Sequence, residues 1–228
     1  MERGLYIAAS GMLAEQVRQN QIANDLANAS TPGYKADRSS QRSFSDMLLE
    51  NSATGQPIGP LGTGVTIAQT VTDFTPAPVR DTGEPLDFAI EGSGFFALRT
   101  AQGVRYTRNG QFMRSASGTL TDALGNQVLG QNGRPIGVRA DGTAASSPGV
   151  FNVTNPRKVG DSLFQGAAAG RGTGSVKSGA LEGSGTDPAR SMVDMITSER
   201  SYEASQKAIR TIDETLQKAV TSLPSING

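Results

Sequence analysis

The sequence predicts a mainly β central domain, antiparallel and made of many short strands, joined to an α-helical, coiled-coil-like domain built from the two chain ends. Three observations lead there. Apolar residues recur at helical spacing in residues 3–28 and again in 187–221. Nine of the 11 prolines and all but three of the 28 glycines lie between those stretches. Within that middle region, apolar and polar residues alternate in short runs bounded by turn residues.

Taken in order, residues 1–35 form the first helical segment. Leu5, Ala8, Met12, Ile22 and Leu26 make a seam that Glu15 and Gln19 interrupt. At 1.5 Å per residue the seam runs about 35 Å. It should stop near Asn28, because Ser30-Thr31-Pro32-Gly33 supplies turn chemistry and proline disfavours helix before it. Residues 36–62 read as an irregular connection around an apolar patch, Phe44 to Leu49. Residues 63–165 read as the β-rich outer domain. Val65–Val71 and Pro85–Ile90 alternate, Gly94–Leu98 follows, and Asn109-Gly110 between Val104–Thr107 and Gln111–Met113 signals a hairpin. Ser117-Gly118, Gly125-Asn126, Asn132-Gly133 and Asp141-Gly142 punctuate further strands. Residues 166–186 read as a flexible Gly-rich connection. Residues 187–228 hold the last helix, with Asp187 as N-cap and Pro188 at its first position. Its seam is expected to be Met192, Met195, Glu199, Tyr202, Gln206, Ile209, Asp213, Leu216 and Val220, with Ile196 beside it.

Composition excludes much chemistry. Lys+Arg and Asp+Glu both number 21, so no net charge holds a polyanion, and nucleic-acid binding is not expected. There is no His and no Cys, hence no disulfide, thiolate nucleophile, imidazole base or Cys/His metal site. No cofactor is expected. No stretch approaches the roughly 20 apolar residues of a membrane span, and the first residues lack the apolar core of a cleavable signal.

Three motifs carry candidate chemistry. Gly92-Ser-Gly94-Phe-Phe-Ala97 has the letters of a dinucleotide fingerprint, but that mechanism needs a helix next, and Phe95–Leu98 looks like strand; a β-turn is the better reading. Asp73, Asp81, Asp87 and Glu91 could pair as acid and base, yet without any Trp they read as turn and strand-edge residues. Arg105, Arg108 and Arg114 near Tyr106 and Phe112 faintly resemble a nucleic-acid surface, against which the zero net charge speaks. The two helical seams admit two readings: the ends pack on each other, or they pack on copies of themselves.

Longer blocks carry a resemblance. Gly4-Leu5-Tyr6, Ser10-Gly11-Met12, Asn20–Asn28 (with Asn24) and Thr31-Pro32-Gly33-Tyr34-Lys35 resemble the N-terminal signature of bacterial flagellar basal-body rod and hook proteins. Thr82–Gly92 (with Gly83 and Pro85), Gly94-Phe95-Phe96 and Tyr106–Phe112 are similar to that family's core. Leu181–Ser184, Met192–Ile196 and Arg200–Ala204 are similar to its C-terminal block. The matches follow the family's order along nearly the whole chain, and fit the distal-rod type best and the proximal-rod type next. The chain is shorter than the distal pattern, chiefly after Asp141.

The resemblance implies a structural subunit that polymerises head-to-tail into a tubular shaft carrying torque from motor to hook. Its partners would be copies of itself, other rod and hook proteins, and the export apparatus. It would lie in the basal body across the periplasm, exported without a cleavable signal peptide, its ends ordering on assembly. Leu5, Met12, Ile22, Leu26, Met192, Met195, Ile196, Tyr202, Ile209 and Leu216 would make the interface, where Glu15, Gln19, Glu199, Gln206 and Asp213 would be satisfied across subunits and fix register. The competing expectations are a wall-active hydrolase using Asp87 or Glu91, and a binding module with a helical-hairpin handle.

Overall fold

A computed structural model describes residues 2–43, 47–50, 57–61, 64–160 and 162–222. The chain divides into two compact units. One holds the chain up to Leu26, Asp37–Val71 and the chain from Pro188; the other holds Ala27–Ala36 and Thr72–Asp187.

In the first unit, α1 spans Glu2–Ala27 and α2 spans Pro188–Ser222. The turn before Pro32 and the proline at the start of α2 mark these limits as the sequence suggests. The helices touch and run antiparallel. Ser198 Oγ on α2 donates to Glu15 Oε2 on α1 at 2.6 Å. Further along, a Cβ placed on Gly11 would sit 3.6 Å from Ser205 Oγ, and one on Gly4 would sit 3.2 Å from Ile212 Cδ1. Small residues therefore set how closely the helices approach.

The sheltered positions of α2 from Met195 onward are Met195, Ser198, Tyr202, Ser205, Ile209, Ile212, Leu216 and Ala219. They alternate by three and four, the 3.5-residue repeat of a supercoiled pair. Five of the nine expected seam positions are corrected by this. Glu199, Gln206, Asp213, Val220 and Met192 are exposed, and their neighbours one residue back take the inner places. Nor does Glu15 need another subunit: its second carboxylate oxygen accepts from Gln41 Nε2 at 3.2 Å. Both ends are helical in the single chain, against the expectation that they order only on assembly. The physical reason is that the two helices shelter Met12, Met195, Tyr202, Ile209 and Leu216 together with small Gly and Ser residues, and Glu15 is satisfied internally.

Hydroxyls line α2. Thr197, Ser201, Ser205, Thr211, Thr215 and Thr221 each donate to the carbonyl four residues back, at 2.7–3.0 Å.

The described residues of 36–62 are almost all strand rather than irregular. β1 (Asp37–Ser43) pairs with β4 (Val65–Thr72), and β2 (Met47–Glu50) pairs antiparallel with β3 (Pro57–Leu61). Of the apolar patch, residues 44–46 lie outside the described residues. The β1–β4 ribbon is tied to α1, since Gln21 donates to the Asp37 carbonyl and Val65 N donates to Ser10 Oγ.

The second unit is antiparallel β. Its largest sheet runs β12 (Val150–Gly160), β13 (Leu163–Arg171), β8 (Gly103–Thr107), β7 (Phe95–Thr100), β11 (Gln127–Leu129), β10 (Leu120–Thr121), β9 (Met113–Arg114), and β12 also pairs with β7. Strands β7, β8, β13 and β12 thus close on themselves and leave no edge among them. Smaller ladders join β14 (Ser175–Ser178) to β6 (Phe88–Glu91) and β15 (Ala180–Glu182) to β5 (Val79–Asp81). Residues 166–186 are accordingly strand for most of their length, not a flexible connection.

Alternation along β7 builds two cores. Phe96 and Leu98 face Phe88, Ile90, Leu120 and Val128, while Phe95 and Ala97 face Tyr106, Leu129 and Phe164. Fully burying each large apolar side chain contributes about 1.5–3 kcal/mol.

The Asn109-Gly110 hairpin is a second correction. β8 pairs with β7 and β13, and β9 with β10, so no hairpin joins β8 to β9. Gly110 is there for close approach: a Cβ on it would lie 1.6 Å from the Phe88 carbonyl oxygen.

Candidate functional site

The densest polar constellation lies inside the second unit, where three sequence-distant segments meet. Gly33 adopts φ 65°, and a Cβ there would sit 2.2 Å from the Arg108 carbonyl oxygen. Only glycine lets the chain press so tightly against residues 108–109 while turning Tyr34 and Lys35 inward. Lys35 is then buried, as are Glu182 from β15 and Arg108 from the segment after β8.

Glu182 is the hub. Its Oε1 accepts from Lys35 Nζ at 2.7 Å and from the Ala77 amide at 2.9 Å; its Oε2 accepts from Arg108 Nη1 at 3.1 Å. Lys35 also donates to the Thr75 carbonyl at 2.8 Å, and Arg108 Nη2 to the Gly92 carbonyl at 2.7 Å. Arg108 stacks over Phe95 at 5.5 Å, and Lys158 over Tyr34 at 4.1 Å. Burial lowers the Lys35 pKa below the ordinary lysine value, and the bond to Glu182 partly offsets this. Two cations and one anion, all shielded from water, make a structural lock rather than a reactive centre.

Around it the backbone is stitched as well. Gly33 N donates to the Glu182 carbonyl at 2.9 Å, Gly185 N to the Tyr34 carbonyl at 2.8 Å, and Ser184 Oγ to the Asn28 carbonyl at 2.9 Å. The segment following α1 and the segment preceding α2 are thereby held side by side.

Of the motif residues named from the sequence, Asn28, Gly33, Tyr34, Gly92 and Phe95 come together here. Phe96 belongs to the adjacent core. Gly94 lets β7 approach Val150, whose Cγ1 would be 2.4 Å from a Cβ at that position. Gly83 and Pro85 sit in an exposed turn and Asn24 on an exposed part of α1. Lys35, Arg108 and Glu182 went unremarked as a group. The available signal was that each flanks a glycine-bearing motif block.

The helical unit offers a second constellation. Leu5, Met12, Ile22, Leu26, Met195, Tyr202, Ile209 and Leu216 are half-buried, whereas Met192 and Ile196 are exposed. Large apolar residues also face outward: Tyr6, Leu13 and Val17 on α1, and Met192, Val193 and Ile196 on α2, are 47–65% exposed. The α1 stripe borders a groove of roughly 350 Å³ whose other wall is Val65 and Ile67 of β4. A helix pair that still leaves large apolar side chains facing outward is patterned for further contacts.

None of the three alternative chemistries gains support. Gly92 and Gly94 lead into strand β7, not a helix. Asp87 is buried and accepts from Thr82 Oγ1 at 2.7 Å, while Glu91 ends β6 in solvent. Arg108, one of the three candidate basic residues, is committed to Glu182.

Comparison with known proteins gives matches in three stretches. Residues 5–35 match a model described as flagella basal body rod protein, 89–159 one described as flagellar hook protein FlgE/F/G D1 domain, and 177–222 one described as flagellar basal body rod FlgEFG protein C-terminal. The chain is similar to flagellar basal-body rod protein FlgG of Bacillus subtilis, with 31% identity covering 96% of this chain and 98% of the relative. FlgG of Agrobacterium fabrum is 33% identical over 93% and 96%. Flagellar basal-body rod protein FlgF of Escherichia coli is 32% identical over 96% and 97%.

Proposed function

From the premise that this chain belongs to the flagellar basal-body rod protein family and is a structural rod subunit, we propose that it polymerises with copies of itself, head-to-tail, into a tube that carries torque from motor to hook. The observation that carries this reading is the set of large apolar side chains that the helix pair leaves facing outward, Tyr6, Leu13, Val17, Met192, Val193 and Ile196. A heterologous contact between such stripes extends along a helix when its rotation does not close a ring. The rod and hook proteins above and below it are its further partners, and the flagellar export apparatus delivers it to the periplasm. Its role is mechanical, with no catalysis.

The distal rod is the first reading of its position, resting on the motif blocks along the chain, and the proximal rod is the second; FlgG and FlgF relatives match the chain to a similar degree.

The experiment is motility and electron microscopy of basal bodies in a strain carrying Leu26→Asp, Leu13→Asp or Ile196→Asp. Each buries a charge if its surface is covered by another subunit. Non-motile cells with truncated rods are expected, and the point of truncation in a deletion strain separates distal from proximal. Full motility with intact rods in all three would overturn the assignment.

A further inference from the structure

We propose that one copy seats the apolar row at the start of its α2, Met192, Val193 and Ile196, in the groove between α1 and β4 of the next copy. This pairing rests on the polymer reading above and fixes which two surfaces meet. Both belong to the helical unit. The groove, of roughly 350 Å³, is lined by nine residues of α1 and β4, none of them charged, and Tyr6, Leu13 and Val17 on its α1 wall are exposed. Ser10 in that lining is already satisfied, since its hydroxyl donates to the Ile7 carbonyl at 2.8 Å and accepts from Val65 N at 3.2 Å. A charge seated there would lose its water and find no partner in return. The occupant is therefore apolar and neutral.

The chain's own α2 cannot reach the groove. It meets α1 through Gly4, Gly11 and Glu15, and at about 3.6 residues per turn Tyr6, Leu13 and Val17 project from the opposite side of α1. The same arithmetic holds for α2. Ser198, Ser205 and Ile212 face α1, whereas Met192, Val193 and Ile196 point away from it. The helix pair thus carries a neutral apolar hollow on one flank and a neutral apolar ridge on the other. Ridge against ridge, or hollow against hollow, leaves one surface of each copy in water. Ridge in hollow covers both, and because they lie on opposite flanks every copy remains open to a further one. A second copy is thus the occupant that this chain itself supplies, and each α1 is sandwiched between its own α2 and its neighbour's.

The chain has no cysteine, so introduced thiols report the contact directly. Basal bodies are isolated from cells whose protein carries Leu13→Cys, Ile196→Cys or both, and treated with a mild oxidant before non-reducing electrophoresis. The double variant is expected to give a ladder of covalent dimers, trimers and longer multimers, and each single variant only monomers. Dimers from either single variant would overturn the pairing, because like surfaces would then meet. So would monomers throughout in rods that contain the chain. Basal bodies of the unsubstituted protein that lack the chain would instead remove the polymer reading beneath it. Should the double variant fail to assemble, Val17→Cys with Val193→Cys gives the same readout one turn along and decides.

Discussion

Replacing Glu182 by glutamine removes one negative charge and nothing else, and the charge arithmetic of its surroundings sets the outcome. The native cluster carries two cations and one anion; Glu182→Gln leaves two buried cations alone, within reach of a single neutral amide. Breaking a buried ion pair from one side costs about 3–5 kcal/mol, against a total stability of about 5–15 kcal/mol for a domain. Lys35→Met, by contrast, leaves Glu182 balanced by Arg108 and removes hydrogen bonds to charged groups, about 1.5–3 kcal/mol. In the double variant one lone cation remains instead of two, so its cost should fall short of the sum by about 1–3 kcal/mol. Equilibrium urea unfolding followed by circular dichroism measures all four proteins. The pH dependence gives an independent sign. Burial already lowers the Lys35 pKa, and Glu182→Gln lowers it further by removing the group that opposed the shift. Between the lowered folded value and 10.5 the unfolded chain binds more protons, so stability of Glu182→Gln rises with pH through that window. A cost for Glu182→Gln below about 1 kcal/mol, strict additivity, or no alkaline recovery would refute the reasoning.

Two other outcomes follow from single residues. Gly33→Ala combines a left-handed backbone with a clash against the Arg108 carbonyl, whereas Gly83→Ala has φ 75° and open space around it; thermal unfolding should show about 1–2 kcal/mol for Gly83→Ala and clearly more for Gly33→Ala. Burial raises the Tyr106 phenol above its usual 10, so the folded state holds its proton longer and stability declines as pH climbs past 10; Tyr106→Phe should flatten that decline in a pH series of unfolding curves.

The helices, the turn glycines and the β character of the middle were legible because each has a local cause: periodicity, proline placement, positive φ. The slip in the α2 seam also has a cause. Met195, Tyr202, Ile209 and Leu216 belong to both a three-four and a four-three reading, and hydrophobicity favours Met192 over Ser191. Close helix approach favours the smaller residue at four of the five slipped positions, Ser191, Ser198, Ser205 and Ala219, while Ile212 displaces Asp213 because it is apolar. Asn109-Gly110 misled because a glycine needed for contact looks the same in sequence as one needed for a turn. The buried Lys35–Glu182–Arg108 cluster was out of reach for another reason. Lys35 and Glu182 are 147 positions apart, and a charged residue in a glycine-rich motif reads as solvated until the chain is folded.

The hydroxyl row along α2 has a bearing on how such a helix responds to load. Each serine or threonine that shares the carbonyl four residues back weakens the regular bond there slightly and favours a small bend. With six such positions spread over seven turns, strain has many places to go and no single weak hinge. A shaft wound from these helices would twist elastically, a little at every turn, instead of snapping at one.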